Sequence, residues 1–411
     1  MKRAAPRKTK PIPASVPQPA APPKSSPPPA PASARWLGPL LAVVIVLAYL
    51  PVWRAGFIWD DDLHLTANPH MLGAAGLKAI WSSASANYFP LVLSHLWVIH
   101  AWFGFDPLPY HLVNVALHVA SAWLLWGVLR ALAVRGAWLG AALWALHPVQ
   151  VESVAWISEL KNTQSAVFFL LAVRSFLRWQ EKTAGRTADG AYALTLLWAV
   201  LALLSKASTV MLPVALALCW WWRASDWPWR RWLWLAPFFA FSLATGLWTI
   251  WEQKFHSGAL GLEWDQTWPE RAIIAGRAIW FYLGKLAWPH PLVFIYPRWT
   301  IEAAQPLHYL PGVAALAGLA ALGAVGLRRG GWARAGFFAA GFFVALLFPV
   351  LGFFNVYFFR YSFVADHFQY LASMGPLALL GAGLATLATR APAPWRRATV
   401  AGGAALLLAF A

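Results

Sequence analysis

Cysteine is all but missing from this chain. Its one thiol, Cys219, rules out an internal disulfide framework and a zinc site built from cysteines. Acidic residues are scarce too, 15 in 411, and charged residues of both signs make up only 11%. A soluble domain carries about a quarter charged residues, so a water-facing surface of ordinary composition is excluded. The net charge of +17 comes from Lys and Arg scattered between apolar runs. They form no continuous basic surface, and a nucleic-acid partner is not expected. No Asp-x-Asp-x-Asp-Gly loop is present for calcium.

What the chain has in abundance is hydrophobic: 60% of its residues, with 29 tryptophans. Lipid is the natural solvent for such a composition. Residues 1–35 are the exception, rich in Pro, Ala and basic side chains, and read as a disordered cytoplasmic tail that cannot offset the entropy of ordering. Residues 36–53 form a first apolar run with no small-residue cleavage site after it, hence an uncleaved anchor. Further runs centre on 108–130, 136–150, 162–178, 191–205, 207–222, 231–251, 306–327, 334–352, 368–388 and 398–411, for about eleven spans. The stretches 88–104 and 271–288, interrupted by His95, His100, Arg277 and Lys285, read as helices on the outer surface. With the tail inside, most Lys and Arg fall in inner segments, as the positive-inside rule requires, and most acids fall outside. The expected fold is an all-α polytopic membrane bundle over 36–411 with its first external loop at 54–107. The chain stops at Ala411 within an apolar run, which reads as a piece of a longer protein.

Four polar segments interrupt the apolar background on the expected outer side. Phe57-Ile58-Trp59-Asp60-Asp61-Asp62 sets three carboxylates side by side, where mutual repulsion raises at least one pKa unless cations or hydrogen bonds offset it. A solvated acidic turn is the plain alternative. His147-Pro148-Val149-Gln150-Val151-Glu152-Ser153 breaks a helix at Pro148, and Glu159, Lys161 and Asn162 follow. His147 and Glu152, five apart, lack the three- or four-residue spacing of zinc ligands on one helix, and a structural role is as natural for them as a catalytic one. Lys206 stands between two short apolar runs, where a lysine either snorkels to the surface or meets an anion. Last comes Arg360 to Tyr370, which contains a guanidinium, Asp366 and His367; an ion pair tying a loop is its bland reading.

Together these groups suit sugar transfer from a lipid phosphate. A phosphate leaves without a general acid, so one carboxylate base and a set of cations suffice. Lys206, Lys161 and Arg360 are the expected phosphate contacts. A carboxylate of the acidic segment would be the base, and Asp60 and Asp61 are the carboxylates a divalent ion would use if one takes part. His147, Glu152, Asp366 and His367 would touch sugar or acceptor, or hold structure.

The order of Asp60-Asp61, then Tyr88-Phe89-Pro90-Leu91 with Phe103-Gly104-Phe105-Asp106-Pro107-Leu108-Pro109-Tyr110-His111-Leu112-Val113-Asn114, then the His147 to Trp156 segment resembles the membrane region of the transmembrane and tetratricopeptide-repeat proteins. These belong to the GT-C superfamily, with the protein O-mannosyltransferases. The resemblance covers roughly residues 36–390, and its histidine-proline segment is the most specific part. It implies an inverting transferase that takes a sugar, typically mannose, from a polyprenyl or dolichyl phosphate to a protein hydroxyl. The base would be one of Asp60 and Asp61, and a repeat domain would follow beyond residue 411 on the outer side. Leu160 stands where bacterial relatives are expected to have Arg, and His367 where many relatives have Arg after the Asp. Both departures lower the cationic charge near the phosphate site. The setting expected is a bacterial inner membrane, with the N-terminus cytoplasmic and the active face periplasmic. Two rival readings are a non-catalytic anchor for an external repeat domain and a transporter of lipid-linked sugar. The anchor would not need clustered outer charges. The transporter would place them at mid-membrane between repeated halves, and no internal repeat is visible.

Overall fold

The computed structural model describes residues 35–82, 89–183, 187–223 and 229–410. The expected tail up to residue 34, with Tyr88 and Ala411, lies outside them. In an apolar solvent every backbone N–H and C=O must find its partner within the chain, and helix does this locally. Among the described residues there are accordingly helices and no strands. In chain order they are α1 (Leu37–Ala48), α2 (Gly73–Ser82), α3 (Pro90–Phe103), α4 (Pro107–Ala131), α5 (Ala137–Leu146), α6 (Val151–Ala155), α7 (Leu160–Thr183) and α8 (Gly190–Ser205). Then follow α9 (Leu212–Arg223), α10 (Ala236–Phe255), α11 (Trp268–Ala287), α12 (Leu310–Arg329), α13 (Gly331–Leu347), α14 (Met374–Arg390) and α15 (Ala393–Phe410).

Three stretches among these, Pro107–Ala131, Pro306–Arg329 and Gly331–Val350, are long and apolar enough to cross a membrane by length and composition. α1, α3, α5 and α8 are apolar but shorter. α4 shows how such a helix starts. The Asp106 carboxylate accepts from Leu108 N–H at 3.1 Å and caps the first turn, and Pro107 takes a position whose N–H needs no partner. α5 departs from expectation. The run 136–150 is not one helix: it ends at Leu146, His147 is extended at ψ 130°, and Pro148 opens a separate 3₁₀ turn. Proline lacks the N–H that the next helical bond needs, so α5 reaches only ~15 Å. For the same reason of broken continuity, the runs at 207–222, 231–251 and 368–388 begin as 3₁₀ or turn structure before α9, α10 and α14. The stretches 88–104 and 271–288 are helical, as α3 and α11. Val92, Leu93, Leu96 and Ile99 of α3 are buried.

α7 packs most extensively on α8 and α4, and α14 on α5. Small residues bring some pairs into backbone contact. A Cβ on Gly276 would lie 2.5 Å from the Gly312 nitrogen, and one on Gly381 would lie 2.7 Å from the Gly140 Cα, so α11–α12 and α14–α5 meet where only glycine fits. The main core runs from Leu41 and Ile45 of α1 through Trp144, Phe169 and Trp179 to Phe343 and Leu377. Two smaller clusters lie apart from it, one around Leu65, Leu93, Tyr110 and Ile157, the other around Trp264, Ile274, Phe359 and Phe363. They anchor the connecting segments that carry the polar residues. The outside is apolar in turn: Leu310, Val313, Leu316 and Leu327 of α12 and Leu243, Leu247 and Trp248 of α10 are all exposed. Such a surface suits acyl chains and not water.

Candidate active site

The three aspartates differ sharply in surroundings. Asp61 is fully buried. Its carboxylate accepts from Ile58 N–H at 2.9 Å and from Ser158 N–H at 2.7 Å, which ties the first loop to the segment before α7. Burial raises its pKa above the ordinary carboxylate range, although those two N–H groups and Lys161 oppose the shift. Asp62 is exposed and accepts from the Thr66 hydroxyl at 2.6 Å, a local turn contact. Asp60 is half-buried, and among the described residues no side chain hydrogen-bonds or ion-pairs with its carboxylate. It lies within electrostatic reach of Lys161 and Tyr361. Of the three, Asp60 alone is half-buried with neither carboxylate oxygen in a hydrogen bond among the described residues.

Beside it stands a charge arrangement that neither lysine alone suggested. Glu159 is fully buried and ion-pairs with Lys161 at 2.9 Å and Lys206 at 3.2 Å. Burial raises its pKa, but Lys161, Lys206 and His367 outweigh that effect and hold the carboxyl well below its usual range. One carboxylate and two ammoniums leave a net charge of +1. Both ammoniums keep partial access, at 14% of each side chain. Lys161 also lies over the rings of Phe89 and Trp156 at 5.7 and 5.5 Å. Lys206 donates to the Asn162 side-chain oxygen at 2.6 Å, and the Asn162 amide in turn reaches the His367 carbonyl at 2.9 Å and the Ser153 hydroxyl at 3.0 Å.

His367 closes the cluster. Its backbone N–H and ring Nδ1 both meet the Glu152 carboxylate, each at 2.8 Å. Next to it Asp366 accepts from the Tyr296 hydroxyl at 2.8 Å. Burial pushes the Asp366 carboxyl up to about 6, with the Tyr296 bond opposing and Glu152 adding to the rise. Arg360 stands at the exposed rim, where it donates to the Tyr357 hydroxyl at 2.8 Å, lies 3.7 Å from Glu263 and covers the Tyr361 ring. His147 stands apart. One ring nitrogen meets the Leu286 carbonyl at 3.1 Å and the other accepts from Val149 N–H at 3.3 Å, so both serve the broken helix.

Rings wall this polar floor. Trp59 stacks on Trp156 with centroids 5.8 Å apart and planes 7° from parallel, and meets Phe294, Phe358 and Tyr361 at 5.1, 5.9 and 5.2 Å. His367 touches Trp156 and Phe358. The segment bearing Phe358, Arg360 and Tyr361 is held from behind by Arg271. Its guanidinium donates to the Gly352, Trp264 and Gln266 carbonyls at 2.9, 3.0 and 3.0 Å and to the Asn355 side chain at 2.7 Å. Among the described residues no group of three or more His, Cys, Asp and Glu is disposed around a common metal position. Sequence reasoning did not assign roles to Glu159, Asn162, Trp59, Trp156, Tyr296 or Arg271. For Glu159 and Asn162 the signal was there, polar residues within three positions of Lys161 in an otherwise apolar chain.

Comparison with known proteins places the chain among relatives. Protein O-mannosyl-transferase Tmtc1 of Drosophila melanogaster is 32% identical over 191 residues, 43% of this chain and 21% of the relative. Protein O-mannosyl-transferase tmtc2 of Xenopus laevis is 30% identical over 146 residues, 32% of this chain and 18% of its own length. Protein O-mannosyl-transferase TMTC4 of Homo sapiens is 27% identical over 195 residues, 41% of this chain and 26% of the relative. No family model matches the chain, and no solved structure does. The expected kinship with the transmembrane and tetratricopeptide-repeat proteins is thus borne out. The chain covers about a fifth to a quarter of the length of these relatives. All three are eukaryotic and lend no support to a bacterial inner membrane.

Proposed function

We propose that this chain is the membrane portion of a GT-C glycosyltransferase, one that moves mannose from a polyprenyl phosphate to a protein hydroxyl on the outer membrane face. One observation carries the reading. Segments around residues 60, 159, 206 and 367, far apart in sequence, converge so that a half-buried carboxylate, free of hydrogen-bond partners among the described residues, lies within electrostatic reach of Lys161, one of two ammoniums held on the buried Glu159 carboxylate. The names of the relatives supply the sugar and the acceptor class.

Asp60 would draw the proton from the acceptor hydroxyl as its oxygen attacks the anomeric carbon from the side opposite the phosphate. The bond between that carbon and the phosphate oxygen breaks, the sugar inverts, and the proton stays on Asp60. Charge that grows on the departing phosphate meets Lys161 and Lys206, whose positions are set before substrate arrives. Arg360, at the rim, would reach phosphate or lipid head group later in approach. The topology that goes with this has about eleven spans and a cytoplasmic N-terminus.

Purified protein in lipid nanodiscs, given radiolabelled mannosyl, glucosyl and galactosyl polyprenyl phosphates with a protein acceptor extract, tests the reading. Label should pass into protein from the mannosyl donor. A folded protein that binds a donor yet transfers no sugar from any of them would make the chain an anchor instead.

A further inference from the structure

Trp59 has a backbone that its residue type avoids. Its φ is 43°, in the left-handed region where a bulky side chain crowds the adjacent carbonyl, and such conformations persist only where the surroundings over-determine them. Ala133 is the other non-glycine residue at positive φ among those described.

The surroundings of Trp59 show what enforces the conformation. Its ring is held by four others drawn from three segments: Trp156, Phe294, and the Phe358–Tyr361 pair. One residue beyond Asp60, the buried Asp61 carboxylate bonds Ile58 N–H on the near side and Ser158 N–H across the gap. Trp59 and Asp61 therefore clamp to positions 156 and 158 of the same segment, and Asp60 is the residue between the clamps. Among the described residues no side chain of the stack hydrogen-bonds the Asp60 carboxylate. It fixes the peptide from which that carboxylate projects.

We propose that Trp59 is a positioning residue: its stacking holds a left-handed turn that directs Asp60 toward the Lys161–Glu159–Lys206 group. The inference rests on Asp60 being the base of the transfer. Positioning of this kind is read in turnover more than in donor affinity, because the lysines that would bind phosphate are ion-paired with Glu159 and not with the turn that bears Trp59.

Three substitutions separate ring from backbone in the full chain. Trp59→Phe keeps an aromatic ring. Trp59→Gly accepts the left-handed backbone without strain but has no ring, and Trp59→Ala has neither advantage. Misplaced reacting groups cost turnover steeply, so Trp59→Ala should lower kcat about tenfold or more, Trp59→Gly by less, and Trp59→Phe least. Donor KM should stay within about twofold in all three. Amide exchange over 58–64 should rise in the Ala and Gly variants and stay near wild type in the Phe variant. Wild-type kcat in Trp59→Ala would overturn the inference. So would a loss of kcat and donor affinity together with faster exchange throughout the chain, which marks a merely structural role. A wild-type protein that transfers no sugar would instead remove the function on which the inference rests.

Discussion

Replacing Glu159 by Gln is the most severe single test of the charge arrangement. The substitution keeps size and shape but strips two partly buried ammoniums of their counter-ion. At distances of 2.9 and 3.2 Å and an effective dielectric of about 20, each contact is worth roughly 5 kcal/mol before desolvation is counted. Measured losses on breaking buried pairs are smaller, about 3–5 kcal/mol, a large part of the ~5–15 kcal/mol that holds a typical protein folded. The pH dependence gives a second handle. Glu159 has a folded pKa held below its ordinary 4.5, so its stabilising contribution is complete above about 4.5 and is lost as pH falls toward the depressed folded value. Tryptophan-fluorescence melting in detergent from pH 7 to pH 3 should show a lower midpoint for Glu159→Gln at neutral pH and a shallower decline on acidification. Adding Lys206→Met should restore much of the neutral-pH loss, because it removes one of the stranded charges. If Glu159→Gln melted like wild type across the whole pH range, the two lysines would not depend on that carboxylate.

Other outcomes follow from the same geometry. Asp60→Asn should lower turnover by about 10²-fold or more with donor affinity nearly unchanged, measured as label transferred to acceptor, while Asp62→Asn should leave it close to wild type; equal rates for Asp60→Asn and wild type would leave the acidic segment a mere turn. Asp366 has its folded pKa raised to about 6 by burial, so it disfavours folding increasingly as pH rises from about 4 to above 6. Asp366→Asn, which can still accept from Tyr296, should gain on wild type over that window by up to about 3 kcal/mol in melting experiments, and a constant difference would refute this. In a Cys219→Ser background, a cysteine at exposed Ala304 should react with an impermeant thiol reagent from outside intact cells or sealed vesicles, and one at exposed Ala188 should not; the reverse labelling would invert the topology.

The polar segments were legible because an ionisable residue in so apolar a chain stands out, and the structure brings Asp60, Lys161, Lys206, Glu152 and His367 into one neighbourhood. Their division of labour was not legible. Which aspartate is anchored depends on the Ser158 N–H, 97 residues from Asp61, and no local pattern foretells that pairing. Lys206 reads as a free cation until Glu159, 47 residues away, is seen beside it. Helical character was readable from the apolar runs, but hydropathy averages over a window and passes across Pro148 without registering the missing N–H, which is why 136–150 read as one span. The left-handed turn at Trp59 runs against the preference of tryptophan, so propensity argued the other way until the four neighbouring rings were in view.

The long reach of these contacts matters during synthesis. Glu152, Lys206 and Asn162 are made well before residues 357–370, and Glu152 meets its His367 partner only 215 residues later. Until then the Glu152 carboxylate lacks the N–H and ring that will hold it, and the Asn162 amide has the Ser153 hydroxyl but not yet the His367 carbonyl. Any lesion that delays or removes residues 357–370 would strand the earlier polar groups and expose the partly assembled chain to the cell's membrane proteases, whatever became of catalysis.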